Sequence, residues 1–493
     1  MLKHYLAPLA AVVVISAFIV PCNAAEAVAA GTGMEIRLLV SSGSRTSHVG
    51  DPVQGMVISP VLSEGRLVIP AGTLISGKID SVERLGLGLK HSTAALGYHF
   101  DALRWPDGEI SPIDAQVVEV ENGKEQVSAN GVIRGIHPTA SLSSSFTFYG
   151  LPILCMEPHI ALSALSVKFV IARSPDPEIY FPAGTEFFVK LTAPANIEPS
   201  GASSIRLACL SAQDLSEAHE ILEKLPQQRT KCGRHRPSDL VNLIFLGNRA
   251  SIDRAFHAAG WSGSQGFSPI SVYRLYRCLV QRNSYTTAPM ARLTLNGLRA
   301  DAEYQKSLNT FSKRHHLRLW QQGGSDLWLS AATEDIRYQF HKMHPTHATD
   351  PAIDNERNKA INDLALTGCL NAGAMIPRRL GDLVESSERS ITTDGKIAVV
   401  RFNDCQHPRS ILSESDASGP RARPRILQIL VALRNDILRS NPISLAINTV
   451  EQIKDSEGRQ VGESKLLSGS RRMRALPSQN RALGHWARAS VLN

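Results

Sequence analysis

The sequence predicts an α+β protein, in which an N-terminal all-β barrel or sandwich domain is followed by an α+β domain. Residues 30–195 alternate apolar and polar side chains in short runs separated by Gly, Pro, Asn and Asp, which is typical of a barrel or sandwich. Residues 238–415 combine strand patterns with helical periodicity. The chain has 493 residues, 43% of them hydrophobic, so it is long enough for more than one core.

Residues 1–24 have the three parts of a secretory signal peptide. Lys3 and His4 form a basic start, an apolar run extends from Leu6 to Val20, and small residues end the segment at Cys22-Asn23-Ala24. The run is shorter than the roughly 20 residues of a membrane-spanning helix. We therefore predict export to the periplasm or cell envelope after cleavage. An uncleaved anchor, which would make the protein membrane-associated, is the alternative.

The net charge of +8 is located at the end of the chain. Residues 420–493 contain 13 Lys or Arg and 5 Asp or Glu, an excess equal to the whole net charge. The rest of the chain is balanced and lacks the field of a nucleic-acid-binding protein, so we expect no nucleic-acid partner. We predict that residues 416–493 form a basic, partly disordered tail, and that removal of residues 456–493 leaves the melting temperature almost unchanged. The partners expected are an envelope protein or a membrane surface.

The sequence Pro-Ala-Gly-Thr occurs twice in the β-rich region, at residues 70–73 and 182–185. In each copy one extended run ends and another begins. Because Pro fixes φ and Gly permits positive φ, we predict one tight corner used twice. Residues 34–195 resemble the β-barrel domain of conjugal-transfer and type IV secretion outer-membrane-complex proteins, which carry this corner. The resemblance implies a scaffold role for this region.

Residues 196–237 predict a linker with one short helix, from Ser211 to Leu225. Six cysteines follow the signal, and none forms a CxxC pair that would indicate a zinc ribbon. An exported chain can oxidise its cysteines. Two local bridges are therefore candidates, Cys209 with Cys232 and Cys369 with Cys405, and buried free thiols are the alternative.

Residues 238–415 begin with a strand pattern from Leu240 to Leu246. A helix follows, for which Ser251 is the expected N-cap. A second helix is predicted from Ser271 to Gln281, with Tyr273, Tyr276 and Leu279 as its inner residues. Farther along, Asp350 and Pro351 start a helix that ends at Gly368.

A hairpin lies between these helices. His315–Trp320 is its first strand, residues 321–325 are its turn, and Asp326–Thr333 is its second strand. Because side chains alternate along a strand, His316 and Arg318 share one face and His315 lies on the other.

Several motifs of this region occur in a fixed order: Phe-Leu-Gly, Ala-Gly-Trp, His-His-x-Arg-Leu-Trp, Ala-Ala-Thr and Thr-His-x-x-Asp-Pro. With them, residues 238–415 resemble the LssY carboxy-terminal domain family. The resemblance implies an α+β domain but no particular reaction. The sequence departs from the family pattern at Ala348, Thr349 and Ala352.

The region also contains a set of histidines and carboxylates, residue types that bind divalent metals or transfer protons: His315, His316, His347, Asp335, Asp350, Asp354 and Glu356. As catalytic candidates we select His316, Arg318 and Asp335. As ligands of a divalent metal we select His316, His347 and Asp350. The structural alternative is that His316 and Arg318 pair with the Asp350 and Asp354 region and hold the hairpin against the helix.

Neither HExxH nor GxSxG occurs in the chain, so no specific hydrolase motif supports catalysis. We expect an exported cell-envelope protein with a structural or binding role, linked to secretion or to surface-polymer handling. The alternative is a metal-dependent hydrolase that acts on an envelope phospho-compound.

Overall fold

A computed structural model describes most of the chain, in separate residue ranges. The predicted signal peptide, residues 1–24, lies outside the described part. The described ranges are 26–63, 65–85, 93–121, 124–136, 159–160, 163, 167–168, 175–197, 205, 207–224, 228–231, 234–306, 313–341, 344–377, 391–410 and 488–492.

The N-terminal half of the chain folds into strands. They are β1 (Glu26–Val28), β2 (Gly33–Leu38), β3 (Ser42–Gly43), β4 (Pro52–Val57), β5 (Val61–Ser63), β6 (Arg66–Ile69), β7 (Leu74–Glu83), β8 (Ala95–Arg104), β9 (Ile110–Val120), β10 (Gln126–Val127), β11 (Ile133–Arg134), β12 (Tyr180–Phe181), β13 (Glu186–Leu191) and β14 (Ala195–Ile197). Six of them pair in the order β8-β7-β4-β2-β13-β9, and β9 pairs again with β8. The sheet is thereby closed, which confirms the predicted barrel.

The barrel has an apolar interior and an unusual outer face. Along β2, Met34, Ile36 and Leu38 point into the barrel core. The alternate residues Glu35 and Arg37 point outward, but both are buried. A second layer of the protein must therefore cover this part of the barrel.

The two Pro-Ala-Gly-Thr corners adopt the same geometry. Gly72 and Gly184 have φ of 96° and 92°, a region that favours glycine. In both corners the threonine hydroxyl donates to the proline carbonyl, over 2.9 Å in Thr73 and 2.7 Å in Thr185. The prediction of one corner used twice is confirmed.

The C-terminal part contains the helices and a second large sheet. The helices are α1 (Ala212–Lys224), α2 (Arg249–Ala258), α3 (Pro269–Gln281) and α4 (Ile353–Leu366). The strands are β15 (Gln228–Lys231), β16 (Arg234–Leu240), β17 (Leu243–Leu246), β18 (Ser262–Gly263), β19 (Leu293–Leu295), β20 (Leu298–Arg299), β21 (Ala302–Lys306), β22 (Arg314–Gln321), β23 (Leu327–His341), β24 (His344–Thr349), β25 (Leu370–Pro377) and β26 (Lys396–Phe402). The α+β fold class is confirmed.

The large sheet has the order β18-β21-β22-β23-β17-β26-β25, and β24 pairs with the far end of β23. Strands β17 and β26 are parallel, and the other pairs are antiparallel. The predicted hairpin is β22 and β23. Strand β15 and the first residues of β16 lie inside the segment predicted as a linker, where β15 pairs with both β16 and β19.

Two details of the helices differ from the prediction. Helix α2 is capped by Asn248, whose side chain accepts from the Ser251 amide, because the helix starts two residues earlier than Ser251. Helix α3 lies at the surface, where Tyr273, Tyr276 and Leu279 are 43%, 42% and 40% exposed. The helical spacing of this segment was predicted correctly, but helical spacing does not indicate which face of the helix the rest of the protein covers. Among the described residues, no helix is both long and apolar enough for a membrane span.

The cysteine prediction is confirmed at one pair. Cys369 and Cys405 form a disulfide that joins the end of α4 to the segment after β26. Cys209 is a free, exposed thiol, and Cys232 lies outside the described residues.

The last described residues, 488–492, lie against the body of the protein. Arg488 and Ser490 are buried, and the Leu492 side chain lies over Gly373. The expectation of a tail that can be removed without effect is therefore wrong for this end, because the end contributes a buried charge to the protein.

Candidate functional site, a buried ionic network

Charged side chains meet where three surfaces pack together: the outer face of the barrel at β2 and β13, one face of β21 to β23, and helix α4. We call this set the ionic network. Its members are all buried, and they are the carboxylates Glu35, Glu121, Glu186, Glu334, Glu356 and Asp363 together with Arg37, Lys306, Lys359, Arg488 and His315.

Helix α4 supplies three of these groups from one face. Glu356, Lys359 and Asp363 are spaced at i, i+3 and i+7, so they project on the same side of the helix. The apolar side chains of Ile361 and Leu364 pack into the core beneath the large sheet. The helix is therefore buried on both its apolar and its charged side.

Asp363 connects both parts of the molecule. Its Oδ1 accepts from Arg37 Nη2 of the barrel at 2.7 Å and from Lys359 Nζ at 3.0 Å. Its Oδ2 accepts from Lys306 Nζ and from Trp261 Nε1, both at 3.0 Å. Although burial alone would raise the pKa of Asp363, Lys306, Lys359 and Arg37 hold that pKa far below its usual value.

Glu186 of β13 is the matching anion on the barrel. It lies opposite Arg37 in the pairing of β13 with β2 and accepts from Arg37 Nε at 2.9 Å. Lys306 Nζ lies 2.7 Å from its Oε1, and Lys359 Nζ lies 2.8 Å from its Oε2. Burial opposes ionisation here as well, but the two lysines and Arg37 hold the pKa of Glu186 well below its usual range.

His315 occupies the next position of the network. It lies opposite Lys306 on β21 and Glu334 on β23. Its Nδ1 is 2.7 Å from Glu356 Oε2, and its Nε2 is 3.0 Å from Glu121 Oε1. Burial alone would lower the pKa of His315, but these two carboxylates raise it well above the usual value. The imidazolium form therefore acts as a cation in the network.

Arg488 reaches the network from the C-terminal end of the chain. Its guanidinium donates to Glu121 at 2.5 Å, to Glu35 at 3.2 Å and to Glu334 at 3.2 Å. Burial raises the pKa of both Glu35 and Glu334 to about 7, against the opposing effect of Arg488. These two carboxyls therefore titrate near neutral pH. Arg488 and His315 hold the pKa of Glu121 well below its usual value, so Glu121 stays ionised.

The catalytic candidates His316 and Arg318 lie on the opposite face of β22, as the alternation predicts, and Asp335 lies on the neighbouring strand β23. His316 Nδ1 is 3.6 Å and His347 Nδ1 is 3.4 Å from Asp335 Oδ2. Arg314 Nε donates to the same oxygen at 2.9 Å. Burial lowers the pKa of His316 well below its usual value, which leaves the ring neutral.

Arg318 is buried, and its polar contacts are with residues outside the group around Asp335. Its Nη2 donates to the Ala291 carbonyl at 2.9 Å, and its other nitrogens lie 3.7 Å from Asp239 and 3.5 Å from Glu303. Burial lowers its pKa to about 10.

Asp350, the third proposed metal ligand, lies at the start of α4. Its Oδ1 accepts from the Ala352 amide at 3.0 Å and its Oδ2 from Asn355 Nδ2 at 3.3 Å. The structure therefore brings His316 and His347 together around Asp335, and it assigns Asp350 to the helix terminus. The alternative in which His316 and Arg318 hold the helix is wrong, because α4 contacts the other face of the hairpin, through His315 and Glu356.

The described residues contain two groups with the spacing of metal ligands: Glu121, His315 and Glu334, and Glu35, Glu121 and Glu186. In the first group the ligand atoms lie within 4.8 Å of one another, and carboxylate with imidazole is a donor set that suits a divalent ion. The Arg488 guanidinium, however, already contacts Glu121 and Glu334. The residues present fit a metal only if Arg488 leaves.

A solvent-open cleft lies apart from the network. Arg249, Asp253, His257, Glu303 and Tyr304 are among its lining residues, and the candidates His316, Arg318, Asp335, His347 and Asp350 are not. Arg249 Nε donates to Asp253 at 2.9 Å, and the Tyr304 hydroxyl donates to the same carboxylate. The predicted site residues therefore do not line this cleft.

We predict that Asp363→Asn lowers the free energy of unfolding by about 3–5 kcal/mol, because it leaves buried cations without their anion. Urea unfolding at neutral pH measures the change. The control is Glu220→Gln, which removes an exposed pair with Lys224 and should have a much smaller effect, because solvent screens exposed ion pairs. Equal effects of the two substitutions would contradict a network that depends on burial.

A second prediction concerns Glu334, whose pKa is raised to about 7 from 4.5. Between these values the folded state holds a proton that the unfolded state has lost, so Glu334 lowers stability as the pH rises. Glu334→Gln removes this contribution. The stability of the variant relative to wild type should therefore increase from pH 5 to pH 7.5, measured by urea unfolding. A constant difference across this range would show that Glu334 does not titrate near neutral pH.

Comparison with known proteins gives a family match for part of the chain. A search of curated protein sequences gives no match. A solved structure, entitled "Structure of ComB10 of the Com Type IV secretion system of Helicobacter pylori", aligns with 34% of this chain and 88% of its own at 10% identity and a TM-score of 0.19. Residues 222–397 match the family described as LssY C-terminus. The match starts earlier than the predicted boundary at residue 238 and includes β15 and β16. The resemblance of this part of the chain to the LssY C-terminal family is thus confirmed.

Proposed function

We propose that the protein is an exported cell-envelope protein with a structural or binding role, in which the barrel and the LssY-like region work as one unit. The observation that carries this proposal is the position of the polar residues. Four side chains of this region form ion pairs with the barrel and do not line the open cleft; they are Lys306, His315, Lys359 and Asp363.

Two features support export. The N-terminal 24 residues have the pattern of a cleaved signal. The Cys369–Cys405 disulfide is a cross-link that persists in oxidising compartments such as the bacterial periplasm. A link to secretion or to surface polymers is part of the same proposal and rests on the barrel and on its repeated corner.

Metal-dependent hydrolysis is supported less well. It would require Arg488 to leave Glu121 and Glu334, or it would have to use His316 and His347 without Asp350. A purified protein with a structural role should show no stoichiometric metal and no rise in melting temperature with divalent ions. Bound metal that is lost in His316→Ala would instead favour the hydrolase.

We predict that expression of the full chain in a bacterial host gives a periplasmic protein that starts between Ala25 and Val28. Intact mass and thiol alkylation of the periplasmic fraction test this, and Cys369 and Cys405 should resist alkylation. The control is a chain without residues 2–24, which should stay in the cytoplasm. A full-length chain that keeps Met1 and remains in the cytoplasm would contradict the proposal.

A further inference from the structure

The C-terminal residues 488–492 are held in a groove whose polar contacts follow a regular pattern. Asn355, Asn358 and Asn362 of α4 are spaced at i, i+3 and i+7, so they form a row along one side of the helix. The side chains of this row contact the main chain of the C-terminal segment, and we call the row the asparagine ladder.

The asparagine ladder binds both donors and acceptors of the segment. Asn355 Oδ1 accepts from the Arg488 amide at 3.1 Å, and Asn358 Nδ2 donates to the Arg488 carbonyl at 2.6 Å. Asn362 Nδ2 donates to the Ala489 carbonyl at 2.8 Å, and its Oδ1 accepts from the Val491 amide at 3.0 Å. Such contacts recognise a peptide backbone without regard to its side chains.

The side chain of Arg488 supplies the specificity. Its three guanidinium nitrogens donate hydrogen bonds to three different carboxylates, those of Glu35, Glu121 and Glu334. Its guanidinium carbon lies 5.6 Å from the centre of the Phe188 ring. A lysine ammonium is a point charge on a flexible stem and cannot reproduce this planar set of contacts. The pocket is therefore selective for arginine.

The far end of the groove accepts aliphatic side chains. Val491 and Leu492 pack against the core beneath the large sheet. A Cβ atom at Gly373 would lie 2.6 Å from Leu492 Cδ2 and 3.3 Å from Val400, so the absence of a side chain at Gly373 makes room for Leu492. The groove is thus complementary in backbone, charge and shape to the Arg-Ala-Ser-Val-Leu segment, which turns at Val491 and Leu492.

We propose that this groove is a peptide-recognition site for a segment with one arginine followed by aliphatic residues, and that residues 488–492 are its intramolecular ligand. The site joins the barrel, through Glu35 and Glu121, to the LssY-like region, through Glu334 and the asparagine ladder. The inference goes beyond the envelope role and does not depend on the compartment in which the protein works.

The test uses a chain that ends at Gly484 and a fluorescent peptide of residues 486–493, with binding followed by anisotropy. The wild-type peptide should bind at a 1:1 ratio. Arg488→Lys in the peptide should weaken binding about 10-fold and Arg488→Ala about 100-fold, because charge-assisted hydrogen bonds are lost. On the protein side, Asn362→Ala should weaken binding about 10-fold, and Asn403→Ala, which changes an exposed asparagine bonded to the Gly368 carbonyl, should leave it unchanged.

If the shortened chain is folded but does not bind the peptide, or binds the Arg488→Ala peptide equally well, the proposal is wrong. Should the shortened chain fail to fold, two measurements on the full chain replace it. Full-length Arg488→Ala should bind the wild-type peptide about 10-fold more tightly than the self-occupied wild type. In the wild type, the Val491 amide should exchange its hydrogen far more slowly than in the free peptide, and equal exchange rates would exclude a seated segment.

Discussion

The burial of charge on both sides of the domain contact is the constraint on which the rest of the structure depends. Removing an ion from water costs several kcal/mol even after the protein relaxes, so each buried charge needs a well-placed partner. Arg37 and Glu186 pair with each other on the barrel, and their further partners Lys306, Lys359 and Asp363 lie across the contact. The ionic network therefore disfavours any other docking position of the barrel, whatever its net contribution to stability.

The same constraint explains the composition of α4. A helix with the sequence Asp-Asn-Glu-Arg-Asn-Lys would normally expose its polar residues. Here one side carries Glu356, Lys359 and Asp363 into the ionic network, and the asparagine ladder binds the C-terminal segment. Arg357, on another side, donates to Asp394 at 2.9 Å. Each polar side chain of this helix thus has a partner from a distant part of the chain.

Local patterns were sufficient to predict the barrel strands, the repeated corner, the hairpin and the α+β class, because alternation and turn chemistry depend on near neighbours. They also placed His315 and His316 on opposite faces. They could not show which face of a strand is covered by another part of the protein. Glu35 and Arg37, which belong to the ionic network, therefore resembled residues on the solvent side of a strand. The sequence motifs favoured His316 and Arg318, whereas the network uses His315.

The role of Arg488 had no signal that could be detected in the sequence. It is one of 13 basic residues after residue 420, and its carboxylate partners lie more than 150 positions away. Only the three-dimensional arrangement distinguishes it from the other arginines of the tail. The tyrosines of α3 show the converse case, since their helical spacing resembled that of a core face although they are exposed.

The central claim is that the ionic network couples the barrel to the LssY-like region energetically. A double-mutant cycle between Glu186 on the barrel and Lys306 on the large sheet tests it most directly, with Glu186→Gln, Lys306→Met and the double variant measured by urea unfolding. The two side chains are 2.7 Å apart, so we expect a coupling energy of about 1–3 kcal/mol. Additive effects within about 0.3–0.5 kcal/mol, the behaviour of independent sites, would contradict the claim.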